Sequence, residues 1–197
     1  MNLPTKFTVT RIVMTFIIIF ILLFPFYTIG ITMPRFSING ILIKSEYIIA
    51  GVLFILASIT DSIDGKLARK NNMVTDLGKM LDAIADKILV DSVLIILAYQ
   101  GFISVLVPVI IVLRDIFVDA IKMQAASKGK VVAAIKSGKI KTATLMIGTV
   151  LTFFYNLPFE LIGIDVSSFM LLIGCIMSIV SGIEYFAMNK NLFLENN

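Results

Sequence analysis

Histidine and tryptophan are absent from this sequence of 197 residues, and cysteine occurs once, at Cys175. Without histidine, the chain has no Ser-His or Cys-His pair for nucleophilic catalysis and no imidazole ligand for zinc. Acid–base chemistry must therefore come from carboxylates, lysine, tyrosine or water. A single cysteine excludes a disulfide framework within the chain, and its apolar neighbours predict a buried, inert thiol.

Charged residues are also scarce. They make up 15% of the chain, whereas 58% of its residues are hydrophobic. A soluble domain usually contains about 25% charged residues, so this composition indicates an integral membrane protein. The first apolar stretch, residues 12–31, is too long for the core of a cleavable signal peptide, and no small-residue cleavage pattern follows it. We expect one membrane domain covering residues 1–197.

Six apolar segments have the length of a transmembrane helix, which needs about 20 residues. They cover residues 7–29, 46–68, 79–99, 103–125, 137–156 and 167–188. The sequence therefore predicts an all-α integral membrane protein with six transmembrane helices. Pro25 and Pro108 lie within the first and fourth segments, where proline is expected to bend a helix.

Lysine and arginine are distributed unevenly between the two ends of these segments. With a cytoplasmic N-terminus, 13 of the 17 Lys and Arg residues lie on the cytoplasmic side, and only Arg35 and Lys44 lie outside. Positive residues favour the cytoplasmic side, so six helices place both termini in the cytoplasm. The net charge of +4 is then explained by topology and by an anionic substrate, and no nucleic-acid surface is predicted.

Four aspartates lie near the cytoplasmic ends of the second and third predicted helices. Asp61 and Asp64 are three residues apart, and Asp82 and Asp86 are four residues apart, so each pair shares a helix face. A short connection joins the two helices, so we expect the four carboxylates to converge. Such a cluster suits two Mg²⁺ or Mn²⁺ ions, which can clamp a phosphoryl group. The alternative is simple pairing of these acids with neighbouring Lys and Arg.

Small and basic residues surround the aspartates. Gly65, Ala68 and Gly78 leave room for a bulky anion to approach the backbone, and Arg69 is placed to hold a phosphate oxygen. Asp91 lies further along the third helix and off the face of the cluster, where a packing or pore-lining role is expected.

The segment that contains these residues resembles the signature of the CDP-alcohol phosphatidyltransferase family. The matching positions are Asp61, Asp64, Gly65, Ala68, Arg69, Gly78, Asp82 and Asp86. The resemblance implies that the four aspartates hold two metal ions, that Asp86 also deprotonates the acceptor alcohol, and that CMP leaves. It further implies a homodimer. The distribution of Lys and Arg places the active site on the cytoplasmic side of the cell membrane. The residues expected to bind the donor, CDP-diacylglycerol, are Asn2, Thr5, Asp61, Gly65, Ala68, Arg69, Thr75 and Gly78. For Thr75 the alternative is a cap on the third helix.

Three basic residues bear on the acceptor. Arg114 lies within a predicted span, where a charge is costly and usually functional. Lys139 and Lys141 lie near the start of the fifth helix, and a helix N-terminus favours phosphate. This arrangement predicts an acceptor that carries a phosphate, such as glycerol 3-phosphate, bound by these three residues. Residues 2–11, 138–142 and 181–185 also resemble the branch of the family that uses this acceptor.

Other interpretations of the basic residues and the acceptor stay open. Arg114 has the alternative of pairing with Asp115 or Asp119, and the lysines have that of anchoring anionic lipid. Within the family, the acceptor could instead be inositol phosphate, serine or phosphatidylglycerol. Outside it, buried charges also occur in cation transporters, although the sequence shows no repeat of two corresponding halves.

Overall fold

The computed structural model describes the backbone of residues 3–70 and 76–191, and the side chains of residues 8–60, 78 and 80–191. Six α-helices dominate this part of the chain. They are α1 (Leu3–Leu23), α2 (Ser45–Lys70), α3 (Asp76–Tyr99), α4 (Leu106–Ser127), α5 (Lys136–Phe153) and α6 (Val166–Asn189). The prediction of a helical fold is therefore confirmed, and the bounds of α6 differ by one residue at each end from the predicted segment.

Among the described helices, α6 is long and apolar enough to cross a membrane, judged by length and composition. Shorter apolar stretches occur at Thr8–Leu23 and Ser45–Thr60. Helix α4 is less apolar because it carries Arg114, Asp115 and further charged residues within its length. A membrane-crossing helix agrees with the expected membrane protein, whereas six spans and two cytoplasmic termini stay predictions.

Both prolines of the predicted spans lie at helix starts or ends. Helix α1 ends at Leu23 instead of residue 29, and Pro25 precedes a short 3₁₀ helix, Phe26–Ile29. Proline restricts the backbone of the preceding residue and lacks an N–H group, which explains the early end. Pro108 is the third residue of α4. The first four N–H groups of a helix have no partner within it, so a proline at this position removes no helical hydrogen bond and does not bend α4.

A β-hairpin that the sequence reasoning did not predict connects α1 to α2. Strand β1 (Arg35–Ile38) pairs antiparallel with β2 (Ile41–Lys44). Its two-residue turn is Asn39-Gly40, with φ values of 48° and 86°. Two left-handed residues are typical of a type I′ turn, and Asn-Gly is the strongest short sequence signal for it. The backbone N–H of Lys44 donates to the Tyr155 hydroxyl at 3.0 Å, which fastens the hairpin to the loop after α5.

The core lies between the helices in two main clusters. One joins α1, α2 and α3 and includes Phe54, which packs against Phe153 of α5 at a centroid distance of 5.8 Å. In the second cluster, helices α5 and α6 approach each other closely at Gly148 and Gly174. A Cβ on Gly174 would lie 2.5 Å from a Leu145 carbon, and one on Gly148 would lie 2.8 Å from Leu171. These two glycines therefore allow α5 and α6 to pack closely against each other within the chain.

Helix α6 begins at a side-chain cap. The Oδ1 atom of Asp165 accepts hydrogen bonds from the backbone N–H of Ser168 at 3.0 Å and from the Ser167 hydroxyl at 2.9 Å. These bonds, those from Ser168 first, hold the pKa of Asp165 below its usual value because they favour the charged carboxylate. The cap supplies an acceptor for N–H groups that have no partner within the helix.

Candidate active site

Two of the predicted metal ligands, Asp82 and Asp86, lie on the face of α3 that packs against α1. Arg11, which is fully buried, lies with its Nη1 atom 3.0 Å from Asp82 Oδ1 and 3.9 Å from Asp86 Oδ1. One guanidinium group therefore reaches both carboxylates, which is the geometry expected for acids one helical turn apart. Oxygens that approach one cation this closely are also placed to share a hard metal ion such as Mg²⁺.

Apart from Gly78, the other residues predicted to bind metal or donor lie outside the side chains that the structure describes. For six of them the structure describes the backbone alone: Thr5, Asp61, Asp64, Gly65, Ala68 and Arg69. Asn2 and Thr75 lie outside the described residues. Gly78 lies on α3, one turn before Asp82. Within the described residues, no group of three Asp, Glu, Cys or His side chains could hold a metal ion. Binding of metal by four aspartates stays a prediction.

A cavity of about 280 Å³ lies between α3, α4 and α5 and reaches Asp86. Its charged lining residues are Asp86, Lys87, Asp91, Arg114, Asp115, Asp119, Lys122 and Lys141. Ligand pockets for drug-sized molecules usually have volumes of about 300–1,000 Å³, so this cavity suits a small, polar molecule. Four acidic and four basic groups line the cavity. The acidic groups can bind hydrogen-bond donors of a ligand, and the basic groups can bind an anionic part of the same ligand.

Arg114 and Lys141 share one carboxylate in this cavity. Lys141, which is buried, places Nζ 2.7 Å from both carboxylate oxygens of Asp115. Arg114 donates from Nη1 to Asp115 Oδ1 at 2.8 Å. The structure thus contains the Arg114–Asp115 pair that the sequence left as an alternative, but this pair does not neutralise the cluster of Arg114, Lys141 and Asp115. Two cations around one anion leave one positive charge facing the cavity.

Helix α6 fixes the direction of the Arg114 side chain. The Ser181 hydroxyl accepts from Arg114 Nε at 3.1 Å and from Nη2 at 2.8 Å, and the guanidinium lies 5.5 Å from the centre of the Tyr185 ring. Gly138 and Gly182 border the side chain, because Cβ atoms built on them would lie 3.7 Å and 3.4 Å from it. A polar acceptor and an aromatic face therefore hold the guanidinium in one orientation.

Two further cations of the cavity were not predicted as site residues. Lys87 forms an ion pair with Asp119 across the gap between α3 and α4. Lys122 places its Nζ atom 5.5 Å from the centre of the Tyr185 ring, on the side of the cavity that holds Arg114. The sequence contains a signal for Lys122, since it follows Arg114 by eight residues and therefore lies near the same face of α4.

The three predicted acceptor-binding residues are not all brought together. Arg114 and Lys141 line the cavity, whereas Lys139 is exposed and is not among its lining residues. Successive residues of an α-helix are about 100° apart, so residues separated by two positions point to different sides. Lys139 can therefore act only as a charge near the rim.

Comparison with known proteins identifies the same family that the sequence motif resembles. The family model for CDP-alcohol phosphatidyltransferase matches residues 1–180. The CDP-diacylglycerol–glycerol-3-phosphate 3-phosphatidyltransferase of Bacillus subtilis is 38% identical over 196 residues, which covers 100% of this chain and 99% of the relative. Proteins of the same description are 31% identical over 193 residues in Rickettsia felis, covering 98% and 97% of the two chains. In Haemophilus influenzae the identity is 32% over 200 residues, covering 99% and 97%.

Proposed function

The chain belongs to the CDP-alcohol phosphatidyltransferase family, and on that premise we propose that it transfers a phosphatidyl group from CDP-diacylglycerol to sn-glycerol 3-phosphate, with release of CMP. The observation that carries the choice of acceptor is the cavity between Asp86 and the cationic group of Arg114 and Lys141. The likeness to transferases along the full chain favours this reaction over cation transport.

We place the reaction at the cytoplasmic face of a membrane domain with six spanning helices. Enzymes of this family act on membrane phospholipids, and α6 has the length and composition of a spanning helix. The uneven distribution of Lys and Arg supports the orientation. The homodimer that the family resemblance implies is retained as a proposal, which a mass measurement of the protein in detergent will test.

Divalent metal ions are used by this family, and the proposed ligands in this chain are Asp61, Asp64, Asp82 and Asp86. We propose two Mg²⁺ or Mn²⁺ ions. When bound, they would neutralise charge on the donor pyrophosphate and on the departing CMP oxygen. The convergence of Asp82 and Asp86 on one guanidinium supports this donor set. The residues proposed to hold the donor are Asn2, Thr5, Asp61, Gly65, Ala68, Arg69, Thr75 and Gly78.

Asp86 is the proposed general base. It contributes to both parts of the site, because it lies near Arg11 beside Asp82 and also lines the cavity. The proton of the attacking hydroxyl passes to the Asp86 carboxylate, the acceptor oxygen forms a bond to phosphorus, and the bond between phosphorus and the CMP oxygen breaks. No histidine is present to take that proton, so an aspartate at the cavity wall is the suitable group.

The acceptor phosphate is proposed to lie against Arg114 and Lys141. These residues carry one positive charge in excess of Asp115, and Lys122 adds a second on the same side of the cavity. A phosphate monoester carries a charge of about −1.5 to −2 at neutral pH, which two excess positive charges match. Lys139, being exposed, contributes only from the rim.

An acceptor panel tests this assignment. Purified protein is given CDP-diacylglycerol and Mg²⁺ with glycerol 3-phosphate, free glycerol, serine, inositol phosphate or phosphatidylglycerol, and the release of CMP is measured. We expect efficient release with glycerol 3-phosphate and little with free glycerol, which lacks the phosphate that the cations bind. Preference for serine or phosphatidylglycerol would contradict the assigned acceptor while leaving the donor chemistry intact.

A further inference from the structure

Asp91 is the one acid of the cavity that the ion pairs and the proposed chemistry leave without a role. It lies on α3, five residues after Asp86, and lines the same cavity. Its Oδ1 atom is enclosed and receives no hydrogen bond from the described residues. The other two acids beyond Asp86 differ, because Asp115 binds Lys141 and Asp119 binds Lys87. An enclosed carboxylate oxygen without a donor is unfavourable, so Asp91 is suited to a ligand that brings a donor.

The charges of the cavity give a direction to any small ligand in it. On α3, Lys87 is engaged by Asp119, and the enclosed Oδ1 atom of Asp91 receives no hydrogen bond from the described residues, so Asp91 adds negative charge to that wall. The opposite wall has an excess of positive charge from Arg114, Lys122 and Lys141. A phosphate is repelled by the first wall and attracted by the second. A ligand with hydroxyl groups at one end and a phosphate at the other therefore matches both walls.

Asp86 and Asp91 both line the cavity, so neighbouring hydroxyl groups of one small ligand can reach both acids. Asp86 can then accept the proton of the reacting hydroxyl while Asp91 accepts a hydrogen bond from the hydroxyl beside it.

We propose that Asp91 determines acceptor specificity by accepting a hydrogen bond from the hydroxyl of the acceptor that does not react. This inference rests on the proposed function, since it concerns the same phosphate-bearing acceptor. The group recognised is the central hydroxyl of a three-carbon polyol phosphate. Asp91 thereby distinguishes the polyol from a simple alkanol phosphate, which the cations alone cannot do.

A pair of acceptors that differ in this one hydroxyl tests the inference. Glycerol 3-phosphate is compared with 3-hydroxypropyl phosphate, which keeps the primary hydroxyl and the phosphate, and kcat/KM is measured for each from CMP release. The unmodified protein should prefer glycerol 3-phosphate on the order of 10–100-fold, the effect of one hydrogen bond to a charged group. In Asp91→Ala the preference should fall to about threefold or less, and Asp91→Asn, which keeps an acceptor oxygen, should lie between them.

Asp119→Asn is the matched control, because it changes an acid of the same cavity that is already paired with a lysine. We expect it to alter kcat/KM for both acceptors by a similar factor and to keep their ratio. The inference is overturned if Asp91→Ala keeps the preference of the unmodified protein, or if Asp119→Asn loses it to the same extent. Equal use of both acceptors by the unmodified protein also overturns it, and that measurement does not depend on the folding of a variant. Failure to use either acceptor would instead refute the proposed function.

Discussion

The buried guanidinium of Arg11 donates a hydrogen bond to the carboxylate of Asp82 at 3.0 Å, across the interface of α1 and α3. Asp86 lies 3.9 Å from the same nitrogen, so a positive side chain lies beside two of the proposed metal ligands. Arg11 thus stabilises in the folded protein a pair of acids that repel each other. A metal ion bound by those acids would reduce the same repulsion.

Replacing Arg11 with alanine should therefore destabilise the protein in a way that depends on metal. Loss of the guanidinium leaves Asp82 and Asp86 without the cation that lies near both, so the temperature of unfolding in detergent should fall. Added Mg²⁺ should raise that temperature more in Arg11→Ala than in the unmodified protein, because ligand binding stabilises the native state. Arg11→Lys, which keeps a charge, is the control. Equal effects of Mg²⁺ on all three proteins would contradict the shared role.

Asp86→Asn should impair turnover more than donor binding. The amide keeps the size of the side chain but does not accept the acceptor proton, so kcat should fall on the order of 10²–10⁴-fold, the usual contribution of a general base. The affinity for CDP-diacylglycerol, measured separately by binding, should change far less. If Asp86→Asn abolished donor binding while bound donor still reacted at the normal rate, the assignment of the base would be wrong.

Arg114→Ala should raise the KM for glycerol 3-phosphate by about 10–100-fold, because hydrogen bonds to a charged phosphate are lost. The affinity for CDP-diacylglycerol should stay nearly unchanged. Arg114→Lys should recover only part of the loss, since a lysine lacks the planar fork. Lys139→Ala is the comparison within the chain, and its effect should be small because an exposed charge is screened by salt. A defect of Arg114→Ala confined to the donor would refute the acceptor site.

The cap of α6 predicts a dependence of stability on pH. The hydrogen bonds from Ser168 lower the pKa of Asp165, so its stabilising effect is present above its ordinary pKa and is lost as the pH falls through the lowered value. Asp165→Ala should cost about 0.5–2 kcal/mol at neutral pH, the usual contribution of such a cap.

The matched control for the cap is Asp165→Asn, which caps a helix without titrating. Denaturation midpoints in detergent should show that the difference between Asp165→Ala and the unmodified protein shrinks as the pH falls below about 4, whereas Asp165→Asn differs from Asp165→Ala by a constant amount. A difference between Asp165→Ala and the unmodified protein that does not change with pH would show that the Asp165 carboxylate does not act as a charged cap.

The sequence predicted the helical fold because long apolar segments determine helix number in a chain of this kind. Helix ends were harder to predict, since local groups decide them. Apolar residues continue past Leu23, yet Pro25 ends α1 early. The hairpin between α1 and α2 was missed although its signal, Asn39-Gly40, is local and strong. The hairpin lies between the predicted spans 7–29 and 46–68, so a search for apolar segments of membrane length does not find it.

The candidate site was predictable only where its residues share one helix. Asp82 and Asp86 follow from a four-residue spacing, but their partner Arg11 lies 71 residues before Asp82 and no local pattern connects them. Lys139 and Lys141 look alike in the sequence, and packing of α5 separates an exposed side chain from a buried one. Ser181 and Tyr185, which contact Arg114, lie on α6, 67 or more residues further along the chain, so no local pattern connects them with it either.

The central claim is that this chain joins a phosphatidyl group to glycerol 3-phosphate with the help of divalent metal. The most direct measurement follows CMP and lipid product together in liposomes that contain the purified protein, labelled CDP-diacylglycerol and glycerol 3-phosphate. We expect one phosphatidylglycerophosphate for each CMP, no turnover after chelation with EDTA, and recovery when Mg²⁺ is restored. CMP released without the phosphorylated lipid, or turnover that persists in EDTA, would contradict the account.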